Sequence, residues 1–164
     1  MRYASMRRMD ISNGDGIGVA LFVQGCRKHC YNCFNPQSWD FNGGKEWDNI
    51  AYSDFWYFVS EKFINRVSIL GGEPLEEENI KTVTNLLREC KECYEDSIKT
   101  WLWTGRKFED IKDLEIMKYL DVIVDGEYID SERDVTLKYR GSKNQRLIDV
   151  KKSLKSNIVV LYDT

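Results

Sequence analysis

Apolar residues in this chain fall into short continuous runs separated by stretches of helical spacing. The run Gly18-Val19-Ala20-Leu21-Phe22-Val23 carries no charge and follows Asp10-Ile11-Ser12-Asn13-Gly14-Asp15-Gly16, a segment dense in turn formers. That pairing predicts a short strand before the turn and a buried strand over 17–24. Phe55, Phe58, Val59 and Phe63 recur at i, i+3, i+4 and i+8, one face of a helix, with Ser53 as a candidate N-cap for its later turns. Arg66-Val67-Ser68-Ile69-Leu70 reads as a strand stopped by Gly71-Gly72-Glu73-Pro74. A second helix is expected over 75–93, with Ile80, Val83, Leu86, Leu87 and Cys90 on one stripe. Pro74 suits its first turn, and Glu76, Glu77 and Glu78 place negative charge where the helix dipole favours it.

The alternation continues. Ile98 to Trp103 reads as a strand ended by Thr104-Gly105, residues 108–118 as a short helix with Phe108, Ile111, Leu114 and Met117 inward, and Asp121 to Val124 as a strand ended by Asp125-Gly126. Residues 128–164 are less regular, with Ile158-Val159-Val160-Leu161 as a last strand candidate. Strand and helix in turn predict an α/β fold with parallel strands and right-handed crossovers. About four such units are too few for a closed eightfold barrel, so the expected architecture is a partial, open β/α barrel. Residues 1–164 read as one domain, since a chain of this length builds one core.

Composition narrows the function. At 42% hydrophobic and 13% aromatic residues the chain is ordered and globular in type. A net charge of -3 from 24 basic and 27 acidic residues gives no reason to expect direct nucleic-acid binding. No run approaches the roughly 20 apolar residues of a membrane span. The first eight residues, Met1 to Arg8, have no apolar signal-peptide core. Five cysteines are an odd number, which favours metal or redox use over a disulfide framework. A cytoplasmic location is the expectation.

The cysteines then focus the reading. Cys26, Cys30 and Cys33 form a C-x3-C-x2-C loop directly after the buried strand, at the strand edge where parallel α/β sheets gather ligands. Three thiolates this close make a soft-metal site. On a [4Fe–4S] cluster they would leave one iron without a protein ligand, an open position for a small molecule. A structural zinc site is the alternative and needs a fourth ligand. His29 neighbours Cys30, and adjacent residues rarely serve one metal together; Cys90 and Cys93 could contribute only if the end of the second helix packed onto the loop. On their helix, Cys90 and Cys93 read as small buried apolar side chains. His29 reads as a solvated loop residue, and Asp125, Arg140 and Arg146 have ordinary readings as turn and surface charges.

The C-x3-C-x2-C loop resembles that of the radical S-adenosylmethionine superfamily. Asn13 through Cys26, Cys33-Phe34-Asn35-Pro36, Trp39-Asp40-Phe41, Gly71-Gly72-Glu73-Pro74-Leu75, Trp103-Thr104-Gly105, Asp125-Gly126 and Tyr139 through Arg146 together resemble the activating components of anaerobic ribonucleotide reductases. The resemblance implies a [4Fe–4S] cluster on Cys26, Cys30 and Cys33 whose open iron chelates the methionine part of S-adenosylmethionine. It implies that Gly71, Gly72 and Glu73 take the methionyl ammonium group, and that Asn32, Cys33 and Phe34 lie beside the adenine. Asn32 departs from the superfamily, where an aromatic residue is common at that position. The implied reaction is one-electron cleavage to methionine and a 5′-deoxyadenosyl radical, which takes hydrogen from a glycine of the reductase's large catalytic subunit. No side chain beyond the cluster is required to be catalytic. Reduced flavodoxin or a similar donor is the implied electron source. The nearest rival within the resemblance is an activase of another glycyl-radical enzyme, of formate-lyase type; the Arg140 to Arg146 block and a short chain without an inserted ferredoxin-like domain favour the reductase. The rival outside it is a zinc-stabilised binding module without catalysis.

Overall fold

A computed structural model describes residues 1–164. Seven strands form one sheet: β1 (Arg2–Asp10), β2 (Gly18–Val23), β3 (Lys45–Glu46), β4 (Arg66–Gly71), β5 (Lys99–Trp103), β6 (Val122–Asp125) and β7 (Arg146–Asp149), in the order β3-β1-β2-β4-β5-β6-β7. Four helices accompany them: α1 (Asn49–Val59), α2 (Glu77–Tyr94), α3 (Phe108–Ile111) and α4 (Val150–Ser156). β2, β4, β5 and β6 pair in parallel, as the alternation predicted. β3 and β7 stay apart as edges, so the sheet is open.

The expectation of an all-parallel sheet is corrected at both flanks, where β1, β3 and β7 pair antiparallel. At β1 the reason is connection length: a parallel neighbour needs a crossover of about a dozen residues or more, whereas the short turn between β1 and β2 permits only reversal; β7 follows β6 through residues 126–145, which hold no α-helix to carry a crossover. β1 also runs nine residues and is not short. β7 and α4 were not foreseen. Ile158 to Leu161, expected as a strand, makes only a single bridge, Leu161 to Ile148.

Helix limits shift for local reasons. α1 is capped by Asp48, whose carboxylate accepts from Ala51 N at 2.9 Å; Ser53 lies inside the helix and donates to the Asn49 carbonyl. Phe55 and Val59 are buried as predicted, but Phe63 lies beyond the helix and is exposed. α2 starts at Glu77, leaving Pro74 and Leu75 in the preceding turn. Cys90 is buried, whereas Cys93 is exposed, which corrects its place on the apolar stripe. The predicted 108–118 helix divides into α3 and a 3-10 turn over Glu115–Tyr119.

Strand alternation assigns the two faces of the sheet. Val19, Leu21 and Val23 of β2 join a 23-residue core that includes Phe55, Val83, Leu87 and Cys90 from the helices. Ala20 and Phe22 point the opposite way, into a small cluster with Leu70 and, at its margin, Trp103. A third cluster, built on Trp101, Val122, Val124 and Leu147, is covered by Tyr139 and Tyr162. One face is thus packed by helices and the other is only partly roofed. No helix is long and apolar enough to cross a membrane.

Candidate functional site

Because β2, β4, β5 and β6 run in parallel, their C-terminal ends share one edge. Gly25-Cys26, Gly72-Glu73, Thr104-Gly105 and Gly126 follow these four strands, and a cavity of about 600 Å³ opens among them onto the helix-free face. Cys26, Cys30, Cys33, Phe34, Gly71, Gly72 and Glu73 all line it. Residues separated by more than forty positions in sequence are therefore assembled by strand register alone.

The cysteine loop is held at its base and coiled in its middle. Gly25 N donates to the Ser38 carbonyl at 2.7 Å and Cys26 N to the Trp39 carbonyl at 3.1 Å, so the turn at 36–38 closes the loop. His29 and Asn32 adopt φ of 49° and 53°, a left-handed backbone that few side chains take readily. These two reversals let one short loop present Cys26, Cys30 and Cys33 to one cavity. All three are free thiols and half-buried. Burial pushes the Cys26 thiol up, and burial with the nearby Glu127 carboxylate pushes Cys30 up to about 11. A bound metal would reverse both, since a coordinated thiol is deprotonated outright. Asn35 N donates to Cys33 Sγ at 3.4 Å, the type of contact that tunes iron–sulfur sulfurs.

The Gly71-Gly72-Glu73 turn meets this loop directly. Gly72 N donates to the Val23 carbonyl and Glu73 N to the Gly25 carbonyl, each at 2.9 Å. A Cβ at Gly72 would stand 2.5 Å from the Gly25 carbonyl oxygen, so only glycine permits that approach. Glu73 is 2% exposed. Its Oε1 accepts from Leu75 N at 3.0 Å and Thr104 Oγ1 at 2.8 Å, and its Oε2 accepts from Gly105 N at 2.8 Å. Burial raises its pKa, against these donors. The carboxylate ties the end of β4 to the end of β5, and its Oε2 accepts one hydrogen bond where Oε1 accepts two.

A sequence-family model described as a 4Fe-4S single cluster domain matches residues 12–148. The anaerobic ribonucleoside-triphosphate reductase-activating protein of Enterobacteria phage T4 is 38% identical over 149 residues, covering 90% of this chain and 93% of its own. The proteins of that name from Haemophilus influenzae and Escherichia coli K12 are 33% and 31% identical, each covering 88% of this chain and 96% of their own. The chain belongs to this family of reductase-activating proteins.

In this member of the family, the donor set fits an iron–sulfur cluster: three free thiols face one cavity beside a glycine turn that leaves room. No three His, Cys, Asp or Glu side chains converge on a single-ion position; in a cluster each thiolate takes a separate iron, so its ligands are spread. Asn32 stands apart from the other expected residues. Its side chain donates to Asp130 Oδ2 at 3.1 Å on the outside of the loop, and it does not line the cavity. His29 is exposed and stacks on Trp39, ring centres 4.5 Å apart and planes at 16°.

Several cavity residues were missed by sequence reasoning. Trp103 lines it and donates Nε1–H to the Tyr139 carbonyl at 2.7 Å; Tyr128 lines it and packs its ring on Phe34 at 5.0 Å. The signal available was the strand-end position of Trp103, the residue before Thr104-Gly105. The block 140–146 acts as a brace: Gln145 Nε2 donates to the Gly126 carbonyl at 3.0 Å, and Asn144 Nδ2 to the Glu127 carbonyl at 2.7 Å. Arg146 pairs with buried Asp125 at 2.5 Å and with Glu109 at 2.8 Å, which holds Glu109 down at about 2.

Proposed function

We propose that this chain is a radical S-adenosylmethionine activase of the anaerobic ribonucleotide reductase, a single domain of the superfamily's partial-barrel type. Cys26, Cys30 and Cys33 hold a [4Fe–4S] cluster with one open iron. Gly71, Gly72 and Glu73 receive the methionyl ammonium group, and the Cys33-Phe34 segment borders the adenosine. Asn32 contributes backbone only, because its side chain is engaged by Asp130. When bound, the cluster and S-adenosylmethionine supply one-electron cleavage of the S–C5′ bond and hydrogen abstraction from a glycine of the large reductase subunit, with reduced flavodoxin or a similar donor as electron source.

The protein's own part is placement. The Glu73 brace fixes the β4 and β5 ends against each other, and the left-handed turns at His29 and Asn32 aim the thiols inward. Phe22, Leu70 and Trp103 give the reacting end an apolar wall, a lining that favours exclusion of water once a substrate covers the mouth. The half-roofed face leaves an opening through which a backbone loop of a protein substrate can reach the reacting atoms.

The observation that carries this reading is the convergence of the three cysteines and the Gly71-Gly72-Glu73 turn on one cavity in a member of this family. The test is anaerobic reconstitution with iron and sulfide, followed by S-adenosylmethionine cleavage under dithionite and electron paramagnetic resonance of the reductase. A cluster spectrum, released methionine and a glycine-centred signal are expected. A colourless protein that holds one zinc and cleaves nothing would replace the reading with a zinc-stabilised module. A signal on another glycyl-radical enzyme and none on the reductase would reassign the partner.

A further inference from the structure

One wall of the cavity comes from the irregular stretch between β6 and β7. Residues 134–141 form a closed loop there. Arg133 and Ser142 bridge antiparallel, Asp134 N donates to the Gly141 carbonyl at 3.2 Å, and Lys143 N donates to the Glu132 carbonyl at 3.0 Å. The returning leg is tied to the rest of the fold: the Tyr139 carbonyl accepts from Trp103 Nε1 at 2.7 Å, and the Tyr139 hydroxyl donates to Asp15 Oδ1 at 2.8 Å. On the outgoing leg, Asp134 turns its carboxylate back on the loop and accepts from Thr136 N at 2.9 Å and Thr136 Oγ1 at 2.6 Å. Asp134, Val135 and Leu137 line the cavity, yet Val135 is 80% exposed. Arg140 lines it too. Among the cations of the lining, Arg7 lies 3.6 Å from Asp10 and Lys28 3.6 Å from Glu127, whereas Arg140 forms no ion pair. Its Nη1 donates to the Gln145 carbonyl at 2.9 Å, and its buried Nε has no partner.

We propose that the 134–141 loop is the wall that grips the glycine-bearing segment of the large reductase subunit. Val135 and Leu137 take an apolar side chain of that segment, and Arg140 takes one of its acceptor oxygens. The inference rests on the functional reading above and goes beyond it by naming the element that meets the partner. The occupant follows from the chemistry. A glycine has no side chain to extend, so its Cα reaches the reacting atoms only if the main chain and its flanking residues enter the cavity. Those flanking residues must then meet a wall. In that reading the cysteine loop and the Gly71-Gly72-Glu73 turn are taken by the cluster and S-adenosylmethionine. The β1 side offers Arg7, Ser12 and Asn13, with Arg7 already beside Asp10. The 134–141 loop alone offers exposed apolar surface together with an uncommitted cation. Covering Val135 removes apolar area from water, and arginine at a desolvated contact is a frequent anchor. The Tyr139 ties fix the loop beforehand, which lowers the entropy cost of docking.

The test compares the reconstituted parent protein with Val135→Asp and Arg140→Gln. Binding of the large reductase subunit is followed by calorimetry, and glycyl-radical yield by electron paramagnetic resonance. S-adenosylmethionine binding is followed separately, by the change it makes in the resonance spectrum of the reduced cluster. Each variant should weaken reductase binding by about tenfold and lower the radical yield at limiting reductase, with the S-adenosylmethionine titration unchanged. Val135→Asp keeps the proposal testable if Arg140→Gln disturbs the loop, since the Val135 side chain stands mostly in solvent and supports no core contact. Parent-level reductase binding in Val135→Asp would overturn the proposal. So would an S-adenosylmethionine titration weakened as much as reductase binding, which would make the loop part of the adenosine pocket. A parent protein whose cluster spectrum ignores S-adenosylmethionine, or that leaves no glycyl radical on the reductase, would instead remove the functional reading beneath it.

Discussion

Three loop thiols and one buried carboxylate carry the site at the scale of single residues. Cys26→Ala, Cys30→Ala and Cys33→Ala are each expected to abolish iron retention after anaerobic reconstitution. Cys90→Ala and Cys93→Ala are expected to leave it intact, because both lie on α2, outside the cavity lining. Iron and acid-labile sulfide assays decide the matter, and loss of iron in either α2 variant would show a ligand outside the loop. Glu73→Gln keeps the volume but turns an amide N–H₂ toward one of three donors. An unsatisfied buried donor costs about 1–3 kcal/mol, so the urea midpoint should fall correspondingly; an unchanged midpoint would mean the carboxylate is no brace. The three acceptor contacts of Glu73 were not legible in sequence. Gly71-Gly72-Glu73 marks a strand-end turn, but its partners Thr104 and Gly105 come from another strand.

At the scale of elements, the helix-covered side is tied together by Asp121, just before β6. It accepts from Lys91 of α2 at 2.6 Å and pairs with Lys151 of α4 at 2.8 Å, with Thr100 N of β5 donating at 2.8 Å. Burial alone would push its pKa up, but the two lysines and the amide outweigh burial and hold it below the ordinary value. A carboxylate with a depressed folded pKa contributes stability above its unfolded pKa, about 3.9, and loses it as pH falls through the folded one. Asp121→Asn should therefore cost about 3 kcal/mol at neutral pH and flatten the stability profile below about pH 4, where the parent protein alone still has this share to lose. Thermal unfolding across pH checks both, and an unaltered acid limb would sink the assignment. Helix periodicity made α1 and α2 visible, and continuous apolar runs made β2, β4, β5 and β6 visible. β7 and α4 were hidden because Arg146–Asp149 has only two apolar residues and gains its place by pairing with β6.

For the whole molecule, the core and the site are separable. None of the three loop cysteines belongs to the 23-residue core, so chelating the iron should remove the visible cluster spectrum while far-ultraviolet circular dichroism stays unchanged. Global unfolding on chelation would show instead that the cluster supplies folding energy, as structural zinc does in small domains. The open sheet edge and the half-roofed face agree with a protein whose substrate is another protein. Such a fold leaves its reacting end accessible, where an enzyme for small substrates gains from enclosure.

The sequence by itself determined the alternation of strands and helices, the cysteine loop at one strand end and the glycine turn at the end of another, because these depend on local spacing and backbone freedom. It also carried the family blocks from residue 13 to residue 146. Only the tertiary structure decided that the flanking strands run antiparallel and that Asn32 turns away to Asp130. It likewise decided that Glu73 braces the ends of β4 and β5 with three acceptor contacts. Each of these depends on which distant residues meet, and strand register and loop docking set those meetings where no periodicity in the chain records them.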